Sequence, residues 1–167
     1  MQDSPEINIR VAEPEDARAI AKVLYESFVE YEALYTPEGF AATALDADQI
    51  KARMREGPVW IACRTDRVLG TVAAKVKGRS LYMRGMAVLP PARGLGVGSR
   101  LLEQVEQWAA NQACGRVFLR TTPFLSGAIR LYEKFGFHRT DDPPHDLFGT
   151  PLFSMEKAIP CRSDRDS

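Results

Sequence analysis

Residues 92–102, Ala-Arg-Gly-Leu-Gly-Val-Gly-Ser-Arg-Leu-Leu, set three alternating glycines and an arginine directly ahead of an apolar helical repeat. Gly94, Gly96 and Gly98 allow a ligand to approach the backbone without Cβ clashes. A helix that opens here leaves its first N–H groups unpaired and turns the positive end of its dipole toward the loop. Arg93 adds a planar cation whose geometry suits phosphate. The chemistry implied is that of a phosphate cradle. A Walker A loop would require Gly-x-x-x-x-Gly-Lys-Ser/Thr, and Gly98 is followed instead by Ser99 and Arg100. A dinucleotide fingerprint fits Gly94 and Gly96 but fails at Ser99, and no acid occurs in the downstream run Arg116-Val117-Phe118-Leu119. Two readings remain: the pattern Arg-x-x-Gly-x-Gly, met by Arg93, Gly96 and Gly98, and a plain Gly-rich turn before a helix.

The chain that must position this loop has 167 residues, of ordinary size for one domain with a real core. Its 22 basic and 22 acidic residues cancel, so an anionic ligand has to be held by local charge. No basic run points to nucleic acid and none resembles a polybasic membrane patch. Cys63, Cys114 and Cys161 are few, odd in number and widely spaced, which predicts neither a disulfide framework nor a metal site. Met1 to Glu6 carry no apolar signal region and no apolar run reaches membrane-spanning length, so a cytoplasmic protein is expected.

Ile7, Ile9 and Val11 alternate as in a half-buried strand. Pro14, with Glu15 and Asp16 behind it, opens a helix to about Val29 on the stripe Ala17, Ile20, Ala21, Leu24 and Phe28. Tyr31 to Phe40 reads as loop, and a second helix is expected from about Leu45 to Arg55. Val59–Cys63 and Val68–Lys77 form a hairpin, and Leu81–Leu89 is a third strand ended by Pro90-Pro91. A helix from about Val97 to Ala113 follows, then a strand over Arg116–Thr121. Leu125, Ala128, Ile129, Tyr132 and Phe135 mark another helix, closed by Gly136. Phe137–Thr140 begins a strand, Asp141–Thr150 is loop, and Leu152–Lys157 is the last strand. The order β-α-α-β-β-β-α-β-α-β-β predicts one α/β domain over residues 7–158, with residues 159–167 as a flexible tail. A mixed central sheet of about six to seven strands flanked by about four helices is expected. The glycine loop lies at the carboxyl end of the Leu81–Leu89 strand, where open α/β sheets favour ligands.

Two motifs, in order and within this element sequence, resemble the GNAT family of N-acetyltransferases. The first is Arg93-x-x-Gly96-x-Gly98; the second is Ala128-x-x-x-Tyr132-x-x-x-Gly136-Phe137. The resemblance covers most of the chain, although its first forty residues share only the element order. It implies direct transfer of an acetyl group from acetyl-CoA, as co-substrate, to the primary amine of a small molecule or peptide. Arg93, Gly94, Gly96, Val97, Gly98 and Ser99 would hold the CoA pyrophosphate. Met86 and Val88 would offer backbone groups to the pantetheine arm, with Gly85 marking a bulge. Tyr132 would protonate the departing thiolate; core packing on its apolar stripe is the alternative. Ser126 stands near the place of a cofactor-binding asparagine in many members. Tyr31, Tyr35, Tyr82 and Arg84 fall where acceptors bind, and Arg84, if it faces the cleft, suits an acceptor with a carboxylate. Thr121 and Thr122 would line the cleft or cap their strand. No metal is implied, and dimers are common in the family, so a homodimer is an expectation.

The central-strand glutamate that serves many members as general base has no counterpart in Ser80–Val88. An amine with a pKa of about 10.4 is neutral in only about one molecule in 2,500 at pH 7. The base candidates in the sequence are Glu26, Glu30, Glu32, His145 and Asp146, or a water chain. Buried in an apolar strand, Cys63 makes a poor nucleophile. The rival readings are a non-catalytic acyl-CoA-binding regulatory module and a nucleotide-binding oxidoreductase domain.

Overall fold

The computed structural model describes residues 6–160. Cys161 and most of the expected tail lie outside the described residues. Ile159 is buried, and its N–H donates to Gly115 O at 2.9 Å, so packed structure reaches that far.

The elements run β1 (Ile7–Val11), α1 (Ala17–Phe28), α2 (Pro37–Thr43), α3 (Ala47–Met54), β2 (Val59–Arg64), β3 (Arg67–Lys77), β4 (Ser80–Val88), α4 (Val97–Asn111), β5 (Arg116–Thr121), α5 (Ser126–Lys134), β6 (His138–Arg139), β7 (His145–Leu147) and β8 (Thr150–Ala158). The sheet order is β1-β2-β3-β4-β5-β8-β6, with β7 also paired to β8. Only β4 and β5 run parallel; the other neighbours are antiparallel. This is the expected mixed α/β domain, with eight strands rather than six or seven and five α-helices rather than four among the described residues.

Both extra elements arise inside stretches read as loop. In Tyr31–Phe40, Pro37 and Gly39 look like breakers, yet Thr36 caps a helix there by accepting the Gly39 N–H at 3.0 Å, with Pro37 in the first turn where its missing N–H costs nothing. A 3-10 turn, Val29–Leu34, leads into it. In Asp141–Thr150, His145–Leu147 form a short hairpin strand whose turn uses Phe148 and Gly149, both at positive φ. Helix α3 is set at its start by a reciprocal cap between Asp46 and Gln49.

Side chains alternate across each strand, so the all-buried runs in β2 and β3 mean that both sheet faces are covered. Helix α4 lies on one face, where Val97 and Leu101 close on Gly70 and Trp108 meets Trp60 edge-on at 5.7 Å. Helix α1, backed by α3, packs on the other. Ile20, Leu24, Ile61, Leu81 and Leu101 are essentially fully buried between these layers. Each contributes about 1.5–3 kcal/mol of apolar burial.

The feature that makes room for a ligand is a parting of β4 from β5. They pair only at Ser80–Tyr82 with Arg116–Phe118. Beyond that point β5 continues against β8, while β4 stays on β3. The β3–β4 register slips between Thr71↔Ala87 and Ala73↔Arg84, so Gly85 and Met86 together oppose Val72. Gly85 sits at φ +63°, a conformation that glycine adopts freely. The bulge expected at this glycine is present, and it bends β4 away from its parallel neighbour.

Candidate active site

The parted strand ends open into two adjoining chambers. The larger, about 550 Å³, lies between the end of β4, the glycine loop, the C-terminal end of α1 and the start of α5. Met86, Val88, Arg93, Gly94, Gly96, Val97, Gly98, Ser99 and Tyr132 all line it. The loop turns on left-handed glycines, with Gly96 at φ +81° directly before α4. The first amide to find an intrahelical partner is that of Arg100, which donates to Gly96 O at 3.1 Å. The N–H groups of Val97, Gly98 and Ser99 are left without that partner and face the loop, as helix starts require. A side chain on Gly94 or Gly96 would meet nothing within 4 Å, so these positions are open toward the chamber. Gly98 has a different reason: a Cβ there would lie 2.6 Å from Leu131, so this glycine lets α4 and α5 pack closely.

Arg93 is held at the chamber by the end of α1 and the turn after it. It forms an ion pair with Glu30 at 2.7 Å and donates to Ser27 O at 3.3 Å. Ser27 in turn donates to Val88 O at 3.1 Å, tying α1 to the end of β4. Glu30, a base candidate in the sequence, is therefore engaged with a cation.

The smaller chamber, about 290 Å³, is the gap between the parted strands, with Met83, Arg84, Gly85 and Met86 on one side and Leu119, Arg120, Thr121 and Thr122 on the other. Tyr35 and Tyr82 line it. Tyr31 does not; it lines the larger chamber. Ser126 lines neither chamber and is exposed at the first turn of α5, where its neighbours Gly127 and Ala128 form the wall instead. Phe28, Met86, Leu125 and Tyr132 belong to both chambers, so these four residues form the junction.

Tyr132 is 5% exposed and packs edge-on to Phe137 at 6.0 Å. This tyrosine is core on one side and chamber wall on the other. Burial pushes its phenol pKa well above the ordinary value, with a smaller contribution from Tyr35. Burial likewise raises the Tyr35 phenol, opposed by the nearby hydroxyls of Thr122 and Thr43. Thr122 Oγ1 is buried and has no well-aligned hydrogen-bond partner among the described residues. Burial raises the thiols of Cys63 and Cys114, and neither cysteine lines a chamber.

Glu26, Glu30, Glu32, His145 and Asp146 are all absent from both linings. Asp146 instead accepts the Gly149 N–H in the β7–β8 turn. Sequence reasoning missed Arg53 and Arg120, which join Arg84 in the smaller chamber. It also missed Phe28 and Leu125 at the junction. The hydrophobic stripes contained both of them, but nothing local marked them as site residues.

A parted parallel strand pair, a helix start with free amides and a buried tyrosine thus surround the two chambers. A family model described as acetyltransferase (GNAT) family matches residues 20–137, and the chain belongs to that family. It is 29% identical over 133 residues to an uncharacterized N-acetyltransferase, YjgM, of Escherichia coli, covering 76% of this chain and 79% of that protein. It is 30% identical to thialysine N-epsilon-acetyltransferase of Mus musculus over 59 residues, 35% of each protein. The chain thus spans about a third of the length of that relative. The fold is similar to that of the PaiA N-acetyltransferase of Thermoplasma acidophilum solved with coenzyme A. The TM-score is 0.79 at 19% identity, covering 92% of this chain and 99% of that one.

Proposed function

We propose that this protein transfers the acetyl group of acetyl-CoA to a primary amine without an acyl-enzyme, with the thioester drawn to the junction of the two chambers. The observation that carries this reading is the position of Tyr132 between a chamber walled by an anion cradle and one open to a second ligand. The residues fit an acyl-CoA. The free amides of Val97–Ser99, with Arg93, suit its pyrophosphate. The β4 backbone from Met86 to Val88, released from β5, suits the amides of the pantetheine arm. When bound, the acyl-CoA supplies an activated thioester carbonyl.

The chain's own residues do the rest. Tyr132 keeps its proton at neutral pH, as an ordinary phenol does, and burial raises its pKa further. It donates a hydrogen bond to the sulfur as negative charge develops there, and the thiol gains its proton as the amine nitrogen loses one. A phenol this weakly acidic completes that transfer only in concert with deprotonation at nitrogen, because a thiol pKa of about 8.5 lies far below it. No carboxylate lines the acceptor chamber among the described residues. Arg53, Arg84 and Arg120 there disfavour a neighbouring ammonium and so raise the neutral, nucleophilic fraction of the amine.

Incubation with acetyl-CoA and a mixed amine panel, read by mass spectrometry, tests this. Acetylated product in proportion to CoA released is expected. The absence of a carboxylate base also favours the second reading, a non-catalytic acyl-CoA-binding module. Tight CoA binding with no product from any amine would establish that reading instead.

A further inference from the structure

The acceptor chamber is strongly biased in charge. Its lining holds three arginines and no carboxylate, lysine or histidine among the described residues. In a chain whose 22 basic and 22 acidic residues cancel, this bias is local. The nearest acid is Glu56, in the turn after α3, and it is shared: Arg84 donates to it at 2.9 Å and Lys75 at 3.1 Å. One carboxylate thus meets two cations. The side chain of Arg53, on α3, forms no hydrogen bond or ion pair among the described residues, although it is half-buried. Burial, and then the like charge of Arg84, pulls its pKa down to about 10, which still leaves it charged at pH 7.

The chamber makes room for that cation. Its guanidinium lies against the β4 bulge, where a Cβ on Gly85 would come within 2.6 Å of Nη1. Arg84 Nε and Thr122 Oγ1 are both buried without partners in the same lining. Tyr82, stacked on Phe118 at 4.9 Å, carries Arg84 on its ring at 5.8 Å and Arg120 at 5.4 Å. An aromatic plate therefore fixes two of the three arginines at the wall. Buried cations and donors normally have partners, and each orphan left unpaired costs free energy. A ligand that brings acceptor oxygens would satisfy Arg84 Nε and give the Arg53 guanidinium a counter-charge.

We propose that Arg53, Arg84 and Arg120 form an anion subsite, and that the acceptor is a small amine bearing a carboxylate, of amino-acid size. A volume of about 290 Å³ is at the low end for ligand pockets, which favours a small molecule over a folded partner. Planar guanidinium forks match a carboxylate in two parallel bonds. The carboxylate sits on the arginines and leaves the amine to reach the Tyr132 junction. This proposal rests on the acetyl-transfer reading for its chemistry and on the chamber alone for its binding.

The test uses matched triplets: an α-amino acid, its primary amide and the amine lacking the carboxyl group, across the common side chains. Binding to the CoA-saturated protein is measured by calorimetry, and product formation by mass spectrometry. At least one acid should bind 10-fold or more tighter than its amide and its amine. Arg53→Gln and Arg120→Gln should each erase most of that preference with CoA affinity unchanged, and Arg53→Lys should restore part of it. Arg120 is exposed, so its variant tests the subsite even if Arg53→Gln unfolds. Glu56→Gln, which frees Arg84, should tighten binding of the acid. Equal binding of acid, amide and amine, no binding of any triplet, or a preference that survives both glutamine variants would overturn the proposal, as would selective capture of peptides through a C-terminal carboxylate. Acids that bind selectively but yield no product would leave the subsite standing and remove the acetyl-transfer reading. Product without carboxylate preference would do the reverse.

Discussion

Tyr132 packs into the core and, in the proposed reaction, also carries the chemistry. Replacing it by phenylalanine keeps the ring against Phe137 and removes only the hydroxyl. Turnover in Tyr132→Phe should fall by about 100-fold or more, the scale of general-acid catalysis, while the CoA dissociation constant changes by less than about 2-fold. Steady-state rates alongside calorimetry would check this, and unchanged turnover would assign the residue to the core alone. The direction of its pKa also fixes a sign. A phenol raised above its unfolded value adds stability that is intact below about pH 10 and lost as pH rises through the folded value. The alkaline limb of a rate profile near pH 9 therefore belongs to another group. Tyr132 was legible in the sequence because its signal is local, an apolar helical stripe closed by Gly136-Phe137. Arg53 was not legible, because its neighbours in sequence mark it only as the polar face of a short helix.

Among the elements, the start of α4 and the parting of β4 from β5 matter most. Gly96 has a positive φ and open space where a side chain would be, and aspartate tolerates left-handed backbone better than most residues. Gly96→Asp should therefore fold, with a melting temperature within a few degrees of wild type, and lose CoA affinity by about 100-fold or more. The added carboxylate would face the pyrophosphate in a loop whose amides attract anions. Retained affinity, measured by calorimetry, would remove the loop assignment. The glycine spacing and the periodicity of the helix behind it were enough to read this element from sequence. Gly85 was visible as a candidate bulge, but a bulge acts on a neighbour, and the register that separates β4 from β5 exists only in the sheet. Helix α2 was missed because Pro37 and Gly39 serve as breakers in one context and as first-turn residues behind a Thr36 cap in another.

At the scale of the molecule, net neutrality conceals a positive smaller chamber, one of whose arginines, Arg84, is paired to Glu56. Hydrogen bonds from Arg84, then Lys75, lower the Glu56 pKa to about 2. A depressed carboxylate adds stability that is present above its unfolded value and lost as pH falls through the folded one. The Glu56 contribution should thus fade between about pH 4.5 and pH 2. Glu56→Gln should be less stable than wild type at pH 7, with the gap closing in that window, as denaturant unfolding at several pH values would record. The gap is modest, because the side chain is 42% exposed and solvent screens it. A constant gap across pH would mean that the loss is one of packing rather than charge.

The sequence by itself determined the order of the major elements, the glycine loop ahead of α4 and the tyrosine helix. Each of these is written in spacings of a few residues, where backbone geometry and side-chain periodicity act directly. Tertiary structure alone decided that Arg53, Arg84 and Arg120 converge from α3, β4 and β5, that Tyr31 lines the larger chamber, and that Ser126 stands outside both chambers. Those outcomes depend on strand register and helix packing across the sheet. There a shift of one residue reverses which face a side chain occupies, and no local pattern records the result.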